Sequence, residues 1–381
     1  MRTIGKYCLI IAALVSGGVI PLWAQSGQTV TVQGRVVNEE TGAPLLGAHV
    51  FLAGTQMGTT TNDDGRYRLT QVPKGAYRVY FSKLGYESHT VDTLIVSDSK
   101  TIDAAMTPTA LEMDEFIVED EIDEDWQRNF RRFKREFIGT SELADSVEIV
   151  NREVLRFNTR WWGRLEAEAV EPLIIDHHKL GYRITYFLEE FETSGTMTRW
   201  DGEPLFEELE PADTEQQEFW ETNRKQAFKG SLRHFLLALI NNRVGDEGFA
   251  LRIYRPDGRG GIESRSRRIS TSRILSEDDE KENTWNLSFF GKLEIIYYLA
   301  EESPRYREWL RHRQRTFSGN QTSYLELNER PITIDPEGEI LETYGATRYG
   351  YFAFRRLADV TPREYRPEGL QDQLPIVGRE N

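Results

Sequence analysis

Two adjacent tryptophans, Trp161 and Trp162, are the residues of this chain whose type is best suited to contact a sugar ligand. Flat indole rings stack on the apolar faces of pyranose rings, so one alternative is a platform that binds a glycan. Successive residues of a strand point to opposite faces of a sheet, so the other alternative buries at least one indole in the core. The sequence favours burial of at least one, and the pair is kept as candidate binding residues.

Arginines could bind an anionic polymer such as the phosphates of lipopolysaccharide, because a guanidinium group donates paired hydrogen bonds to a phosphate. A first group surrounds a Gly/Ser-rich loop and comprises Arg252, Arg255, Arg259, Arg265, Arg267, Arg268 and Arg273. A second group lies beside His312 and comprises Arg305, Arg307, Arg311, Arg313 and Arg315. The acidic run at 277–282 separates the two groups and favours internal charge balance instead. We retain Arg265, Arg267 and Arg268 as candidate binding residues.

No spacing of nucleophiles, histidines or carboxylates specifies a reaction. His177 and His178 are adjacent, so on a strand they would face opposite sides and could not hold one metal ion together. Ser231 lacks the Gly-x-Ser-x-Gly context of a hydrolase nucleophile, and its place before an apolar helical stretch predicts a helix N-cap. The 62 acidic residues offer many carboxylate pairs and nothing that selects one. We therefore predict no catalytic residue, no metal site and no cofactor.

The composition predicts a globular chain that is long enough for two domains. The 381 residues are 29% charged and 39% hydrophobic, which is ordinary for folded proteins with sizeable cores. The formal net charge is -15, whereas nucleic-acid binding needs a dominant basic face that neutralises phosphates. We expect no nucleic-acid partner.

The first residues have the order of regions found in a secretory signal peptide. Two basic residues precede an uncharged apolar stretch at 7–20, and Ala24 supplies the small residue before the cleavage point. The stretch closes at Pro21 after about 14 residues, short of the roughly 20 that span a bilayer. We predict a signal peptide at 1–24 and export to the periplasm or the outer membrane. After cleavage we expect neither a transmembrane helix nor a cysteine, because Cys8 is the only cysteine.

Residues 28–108 alternate between apolar and polar side chains, which is the pattern of strands with one buried face. Val30, Val32 and Val36 alternate with polar neighbours along the first of these segments. Glycine and proline separate the segments, as at 41–44, and set turns between short strands. We predict an all-β sandwich of the transthyretin or Ig type.

Several short sequence motifs occur within residues 28–108. They are Gly34-Arg35-Val36-Val37, Thr41-Gly42-Ala43-Pro44-Leu45, Gly47-Ala48-His49-Val50, Thr61 to Leu69, Val72 to Tyr77 and Gly85-Tyr86. The series resembles the carboxypeptidase regulatory-like domain, a transthyretin-like β-sandwich. The resemblance implies a non-catalytic module, common at the N-terminus of secreted and outer-membrane proteins of gram-negative bacteria, including extensions of TonB-dependent transporters. Peptidase activity does not come with it, because none of the six histidines has a glutamate three residues later, as a carboxypeptidase zinc site would.

The composition changes after Pro108, where we place the boundary between two domains. Residues 112–125 contain nine acidic residues and no basic one, which predicts a charged connector over 109–124. Helical and alternating patterns follow one another beyond the connector. We predict an α+β domain over 125–366 and a C-terminal tail over 367–381.

An amphipathic helix is predicted over 124–138. Aromatic residues recur every three or four positions on one of its faces, and basic residues occupy the others. The aromatic stripe comprises Trp126, Phe130, Phe133 and Phe137. Such a helix either packs its stripe in a core or lies on an anionic membrane, and the sequence favours the core.

Further motifs mark the C-terminal region. They include Trp220 to Lys225, Gly230 to Leu236, Glu247 to Phe249, Tyr349 to Tyr351, Arg356 to Asp359 and Pro362 to Tyr365. They resemble the C-terminal region of uncharacterised gram-negative envelope proteins that carry the same N-terminal module, which implies architecture and location but no activity. We predict an exported cell-envelope protein that acts as a non-catalytic binding or assembly module. Its expected partner is an envelope protein or glycan, and no oligomeric state is assigned. The alternative is an envelope-polymer hydrolase with its site in the C-terminal α+β domain.

Overall fold

The computed structural model of the chain describes residues 29–95, 99–109, 123–195, 197–255, 264–278, 281, 283–312, 319–368 and 370. The predicted signal peptide, most of the connector and most of the C-terminal tail lie outside the described residues. Among the described helices, none is both long enough and apolar enough to cross a membrane.

The N-terminal region is a β-sandwich, as the alternation predicts. Its strands are β1 (Thr29–Asn38), β2 (His49–Leu52), β3 (Gly58–Thr60), β4 (Arg66–Pro73), β5 (Gly75–Ser82), β6 (His89–Ile95), β7 (Ser99–Thr101) and β8 (Ala104–Met106). One sheet has the order β4-β1-β7, with β8 also paired to β1, and the other has the order β3-β2-β5-β6. Val32, Val36, Val50, Val79 and Phe81 are fully buried in its core.

The second region mixes helices and strands, which confirms the predicted α+β class. Its helices are α1 (Glu124–Phe137), α2 (Thr214–Phe228), α3 (Leu232–Ile240), α4 (Pro304–His312) and α5 (Tyr351–Phe354). A six-stranded sheet contains β9 (Val147–Ile149), β10 (Leu155–Arg160), β11 (Arg164–Ala169), β12 (Leu173–His177), β13 (Tyr182–Ser194) and β14 (Met197–Glu208). Its order is β10-β11-β13-β12-β9, and β14 pairs with β13.

Two further sheets complete the second region. The five-stranded sheet has the order β16-β15-β19-β20-β22, and the three-stranded sheet has the order β17-β18-β21. Their strands are β15 (Phe249–Arg255), β16 (Ser264–Arg268), β17 (Leu275–Glu277), β18 (Trp285–Leu287), β19 (Lys292–Glu301), β20 (Asn320–Leu327), β21 (Ile332–Ile334) and β22 (Ala346–Gly350). A large apolar core joins them to α3.

Helix α1 packs its aromatic stripe against the six-stranded sheet, which confirms the core alternative. Phe133 and Phe137 are fully buried, with ring centroids 5.0 Å apart, and the Phe133 ring lies 4.7 Å from that of Phe191. Asp123 caps the helix by accepting a hydrogen bond from the backbone N–H of Trp126 at 2.6 Å. Acidic residues in the first turn and basic residues in the last turn also suit the helix dipole.

Helices α2 and α3 form the helical hairpin that connects the two halves of the second region. Ser231 caps α3, because its hydroxyl accepts a hydrogen bond from the backbone N–H of His234 at 3.0 Å. The N-cap expectation for Ser231 is confirmed. Helix α2 is capped in the same way by Asp213, which accepts from Gln216 N–H at 2.8 Å.

The sandwich and the second region share an apolar cluster. Strand β2 is apolar on both faces because each face meets a different core. Val50 points into the sandwich, whereas Phe51 stacks on Phe187 of β13 with ring centroids 4.7 Å apart. The Tyr80 ring lies 5.5 Å from Phe187, and Leu205 of β14 packs against the cluster.

Two backbone hydrogen bonds join the loop after β2 to strand β14 at this junction. The N–H of Gly54 donates to the carbonyl of Pro204 at 2.9 Å, and the N–H of Phe206 donates to the carbonyl of Thr55 at 2.9 Å. Such bonds set the register of the loop after β2 against β14. The two regions therefore pack as partners, with both apolar and hydrogen-bonded contacts between them.

A buried ion pair lies at the same junction. Arg363 pairs with Asp335, which is completely buried, and a second carboxylate, that of Glu337, lies 3.5 Å from its guanidinium group. The N–H of Arg363 donates to the carbonyl of Gly54 at 2.9 Å. The motif at 362–365 thus fastens the sandwich to the second region.

His177 ends strand β12 inside the core, and His178 is exposed on the other side, as adjacent strand residues should be. The Nε2 atom of His177 lies 2.9 Å from the carbonyl oxygen of Ala358, and its Nδ1 atom accepts from the N–H of Leu180 at 3.2 Å. This pairing requires a neutral ring with its proton on Nε2. Burial lowers the pKa of His177 to about 4.

The stability of the chain is expected to fall as pH falls from about 6.5 to about 4, partly through His177. Above pH 6.5 the ring is neutral in both states, whereas below it only the unfolded chain takes up the proton until the folded pKa is reached. The full loss from this group is about 3 kcal/mol. His177→Gln can keep a donor near Ala358 without titrating. The free energy of unfolding, measured with denaturant at several pH values in this range, should fall more steeply with decreasing pH in the wild-type chain than in the variant. Equal pH dependence in the two proteins would contradict the assignment.

Candidate functional site

Both candidate tryptophans lie in the turn between β10 and β11, beyond the last strand pair, Arg160 and Arg164. Trp161 is 89% exposed and Trp162 is 96% exposed. The expectation that at least one is buried is therefore wrong. The strand alternation on which it rested does not operate in a turn, where neither indole meets a core.

The backbone of this turn is strained at Trp162, whose φ is 65°. Residues other than glycine, asparagine and aspartate avoid this left-handed region, because the Cβ atom crowds the backbone. Gly163, next in the chain, has a φ of 71° at no such cost. A bulky residue held in this conformation is the kind of outlier that accompanies a functional role for the side chain.

Trp162→Gly is expected to raise the free energy of unfolding by about 0.5–1 kcal/mol, because it relieves the left-handed strain and removes no buried contact. The matched control is Trp161→Gly, at a position with negative φ. Glycine there relieves no strain and increases the conformational entropy of the unfolded chain, so it should lower the free energy of unfolding. Thermal melts of the two variants measure the difference. A lower melting temperature for Trp162→Gly than for Trp161→Gly would refute this account.

The candidate arginines lie in a different sheet from the tryptophans. Arg265, Arg267 and Arg268 belong to β16, the edge strand of the five-stranded sheet, and Arg268 is exposed. Arg252 on the neighbouring strand lies 3.8 Å from Glu294, in agreement with internal charge balance. The structure does not bring these arginines and the tryptophans into one site.

A cleft with a volume of about 570 Å³ lies beside the C-terminal end of α1. Its walls come from α1, from the turn between β13 and β14, from α4 and from the segment that follows α5. The lining residues are Arg135, Glu136, Gly139, Thr140, Gly195, Arg305, Glu308, Trp309, Phe354 and Arg356. Arg305 belongs to the second arginine group and Arg356 begins the motif at 356–359, but neither was retained as a candidate binding residue.

Arg356 is the best-fixed cation of the cleft. Its guanidinium group lies 3.7 Å from the carboxylate of Glu136 and 5.0 Å from the ring centroid of Trp200. Gly139 ends α1 at a φ of 104°, and a Cβ there would come within 2.9 Å of the Cβ of Arg356. The helix must therefore end in glycine for the arginine to lie across it.

The other side of the cleft is built on α4. The guanidinium group of Arg305 donates to Asp145 at 2.9 Å, and this hydrogen bond lowers the pKa of Asp145. The Trp309 ring stacks 5.7 Å from Tyr306 and meets Phe354 edge-on at 5.7 Å. Packing on these rings holds the indole at the wall of the cleft.

The arrangement suits recognition of an anion. Three guanidinium groups and two carboxylates line the cleft, and Glu136 already contacts Arg135 at 3.1 Å as well as Arg356. These contacts compensate Arg135 and Arg356 as well as Glu136, and Arg305 is paired with Asp145, so an incoming anion would compete with Glu136 and Asp145 for the arginines. A ligand with carboxylate or phosphate groups and a flat apolar face fits the arginines together with Trp309.

A histidine–carboxylate pair also occurs in the second region, but it is sealed from solvent. His234 of α3 is buried, with 1% of its surface exposed. Its Nε2 atom lies 3.3 Å from Glu247, and its Nδ1 atom accepts from the N–H of Gly230 at 3.0 Å. Burial lowers the pKa of His234, and hydrogen bonding to it lowers that of Glu247. Within the part of the chain that the structure describes, no three His, Cys, Asp or Glu side chains are grouped to hold a metal ion.

Comparison with known proteins identifies the N-terminal region. The family model of the CarboxypepD_reg-like domain matches residues 32–118. The TonB-dependent receptor P39 of Formosa agariphila is 37% identical over 95 residues, which are 25% of this chain and 8% of that receptor. The chain therefore spans less than a tenth of the length of this curated relative.

Solved structures match the chain over about a fifth of its length. An interface mutant of a type II cohesin–X-dockerin complex from Acetivibrio cellulolyticus is 25% identical with a TM-score of 0.18, over 20% of this chain and 52% of that chain. The 5-hydroxyisourate hydrolase of Klebsiella pneumoniae is 21% identical with a TM-score of 0.18, over 21% of this chain and 91% of that chain. These TM-scores are too low to support an inference. The motifs, the β-sandwich and the family match agree, and the N-terminal region of this chain is a CarboxypepD_reg-like domain.

Proposed function

We propose that the chain is an exported cell-envelope protein that binds or assembles with an acidic envelope component and does not catalyse a reaction. The CarboxypepD_reg-like domain and the similarity to part of a TonB-dependent receptor support an envelope role. The observation that carries the proposal is the arginine-lined cleft beside α1, where Arg135, Arg305 and Arg356 converge near Trp309.

The chemistry of the cleft favours binding over hydrolysis. Its fixed guanidinium groups offer paired hydrogen bonds to carboxylates or phosphates, and the Trp309 ring offers a face for a sugar ring. Clefts with a few converging polar groups and an aromatic wall are typical binding sites. The ligand class is therefore an acidic glycan, or an acidic segment of an envelope protein.

One observation favours the alternative, an envelope-polymer hydrolase in the C-terminal domain. Glu136 and Glu308 both line the cleft, and most glycoside hydrolases use two carboxylates. The Glu136 carboxylate is already engaged by two guanidinium groups, at 3.1 Å from Arg135 and 3.7 Å from Arg356. For this reason the hydrolase is the second candidate.

Charge reversal on α1 tests the binding site. The purified chain is immobilised, acidic polysaccharide and detergent-solubilised proteins from envelope fractions are passed over it, and the retained material is measured. Arg135→Glu should lose most of the retained material. Arg128→Glu lies on the same helix outside the cleft, has a similarly exposed side chain and also loses one surface ion pair, so it should retain the wild-type amount. Equal retention by both variants would exclude the cleft as the site.

The hydrolase is tested separately by incubating the chain with envelope polymer and measuring soluble fragments. Release of fragments by the wild-type chain, together with its loss in Glu308→Gln, would replace the binding proposal with the hydrolase.

A further inference from the structure

Two neighbouring turns expose large apolar side chains at one end of the six-stranded sheet. Trp161 and Trp162 occupy the turn between β10 and β11, and Met197, 68% exposed, begins β14 after the next turn. The turns are neighbours because β11 pairs with β13, with Leu165 opposite Thr193. We call Trp161, Trp162 and Met197 the apolar tip.

The apolar tip is anchored to the rigid part of the second region. The guanidinium group of Arg132 on α1 donates to the carbonyl of Gly163 at 2.6 Å and to the carbonyl of Thr193 at 3.2 Å. One side chain therefore holds both strand pairs at this end of the sheet. The next residue of α1, Phe133, is fully buried in the core, so the tip projects from a fixed support.

Three arginines, each paired with a carboxylate, lie directly behind the apolar tip. The segments 159–165 and 193–199 contain three arginines and no carboxylate, although acidic residues outnumber basic ones by 62 to 47 in the chain. Arg160 and Arg164 form the strand pair next to the tryptophan turn. Each of these arginines has a carboxylate partner: Arg160 lies 2.9 Å from Glu166, Arg164 lies 3.4 Å from Glu192, and Arg199 lies 2.8 Å from Glu190.

We infer that the apolar tip inserts into the interfacial layer of an anionic phospholipid bilayer, with the arginines at the level of the phosphates. Tryptophan prefers the interface between headgroups and acyl chains, because its ring is apolar and its N–H can still reach a polar partner. Arginine behind it pairs with phosphate oxygens. From the tip inward, the exposed apolar side chains come first and the arginines with their carboxylate partners follow, so lipid phosphates would compete with these carboxylates for the arginines.

The shape of the apolar tip favours a bilayer over a glycan or a protein groove. Its three side chains project from turns and are more than two-thirds exposed, so they form a convex surface and not a cleft. The left-handed backbone at Trp162 adds an independent observation, because the turn keeps an indole where glycine would be less strained.

Vesicle sedimentation tests the inference on the chain that begins at the predicted mature residue Gln25. The probes are vesicles of phosphatidylglycerol with phosphatidylcholine, and vesicles of phosphatidylcholine alone. The wild-type chain should bind the anionic vesicles, and Trp161→Ala/Trp162→Ala should lower the partition coefficient by at least about tenfold. Each of Arg160→Gln and Arg164→Gln should lower it by about fivefold on anionic vesicles and have little effect on neutral ones.

Matched controls separate lipid contact from folding. Leu84→Ala removes a similarly exposed apolar side chain, 71% accessible, from the sandwich and should bind like the wild-type chain. All these variants should melt normally, because the side chains are exposed. Wild-type binding by the double tryptophan variant, no binding of the wild-type chain to anionic vesicles, or tryptophan-dependent binding to acidic polysaccharide without binding to vesicles would each overturn the inference.

Discussion

Phe133→Ala should lower the free energy of unfolding of the chain by about 3–5 kcal/mol, a large part of the roughly 5–15 kcal/mol that stabilises a domain. The Phe133 ring is fully buried between α1 and the six-stranded sheet and contacts Phe137, Phe157 and Phe191. Alanine would leave a cavity that this rigid sheet cannot fill. Chemical denaturation of the full chain measures the loss.

The matched control for this prediction is Arg131→Ala, which removes an exposed side chain from the same helix and should change stability by less than about 0.5 kcal/mol. If Phe133→Ala melts like the wild-type chain and instead loses binding to anionic vesicles, the aromatic stripe of α1 contacts lipid and the packing described above is wrong.

Arg363→Met is expected to cost about 3–5 kcal/mol, because it leaves Asp335 buried at the domain junction without its cation. Desolvation already raises the pKa of Asp335. Without the arginine the carboxylate would be easier still to protonate, so the cost should shrink as the pH is lowered. The free energies of unfolding of the variant and the wild-type chain, measured at neutral and at acidic pH, give the cost of the substitution at each pH.

Two control variants test the origin of that cost. Arg363→Met combined with Asp335→Asn removes the unpaired charge and should recover part of the lost stability. Arg78→Met removes a guanidinium group 3.2 Å from Glu203 across the same junction, at a more exposed position, and should cost less. If Arg363→Met and Arg78→Met cost the same, burial of Asp335 is not the cause.

Local patterns in the sequence predicted much of this architecture. The alternation of Val30, Val32 and Val36 predicted β1, and the aromatic stripe predicted α1 to within a residue at its C-terminal end. Strand β2 is apolar on both faces, and its second face packs on the second region. Its partner could not be found from sequence, because Phe187 lies 136 positions beyond Phe51 and nothing local links them.

The candidate site was less predictable, for the same physical reason. The cleft joins Arg135, Gly195, Arg305 and Arg356, which lie on four separate segments, so no spacing in the chain encodes it. The tryptophans were found by their type, but their exposure was misjudged. The glycine after them was the available signal, because Trp-Trp-Gly between two alternating segments is also compatible with a turn.

The junction between the two domains has a consequence for any encounter that uses both of them. Within the described residues, the contacts of Phe51 with Phe187, and of Gly54 with Pro204 and Arg363, hold the sandwich against the second region. A partner that contacts the sandwich and the second region together would therefore meet two surfaces with a constant separation and angle. The relative orientation of the two domains is fixed once, when the chain folds, and binding does not have to fix it again. After a partner has contacted one domain, its contact with the other domain forms at a high effective concentration only if the partner's second site lies in the matching direction.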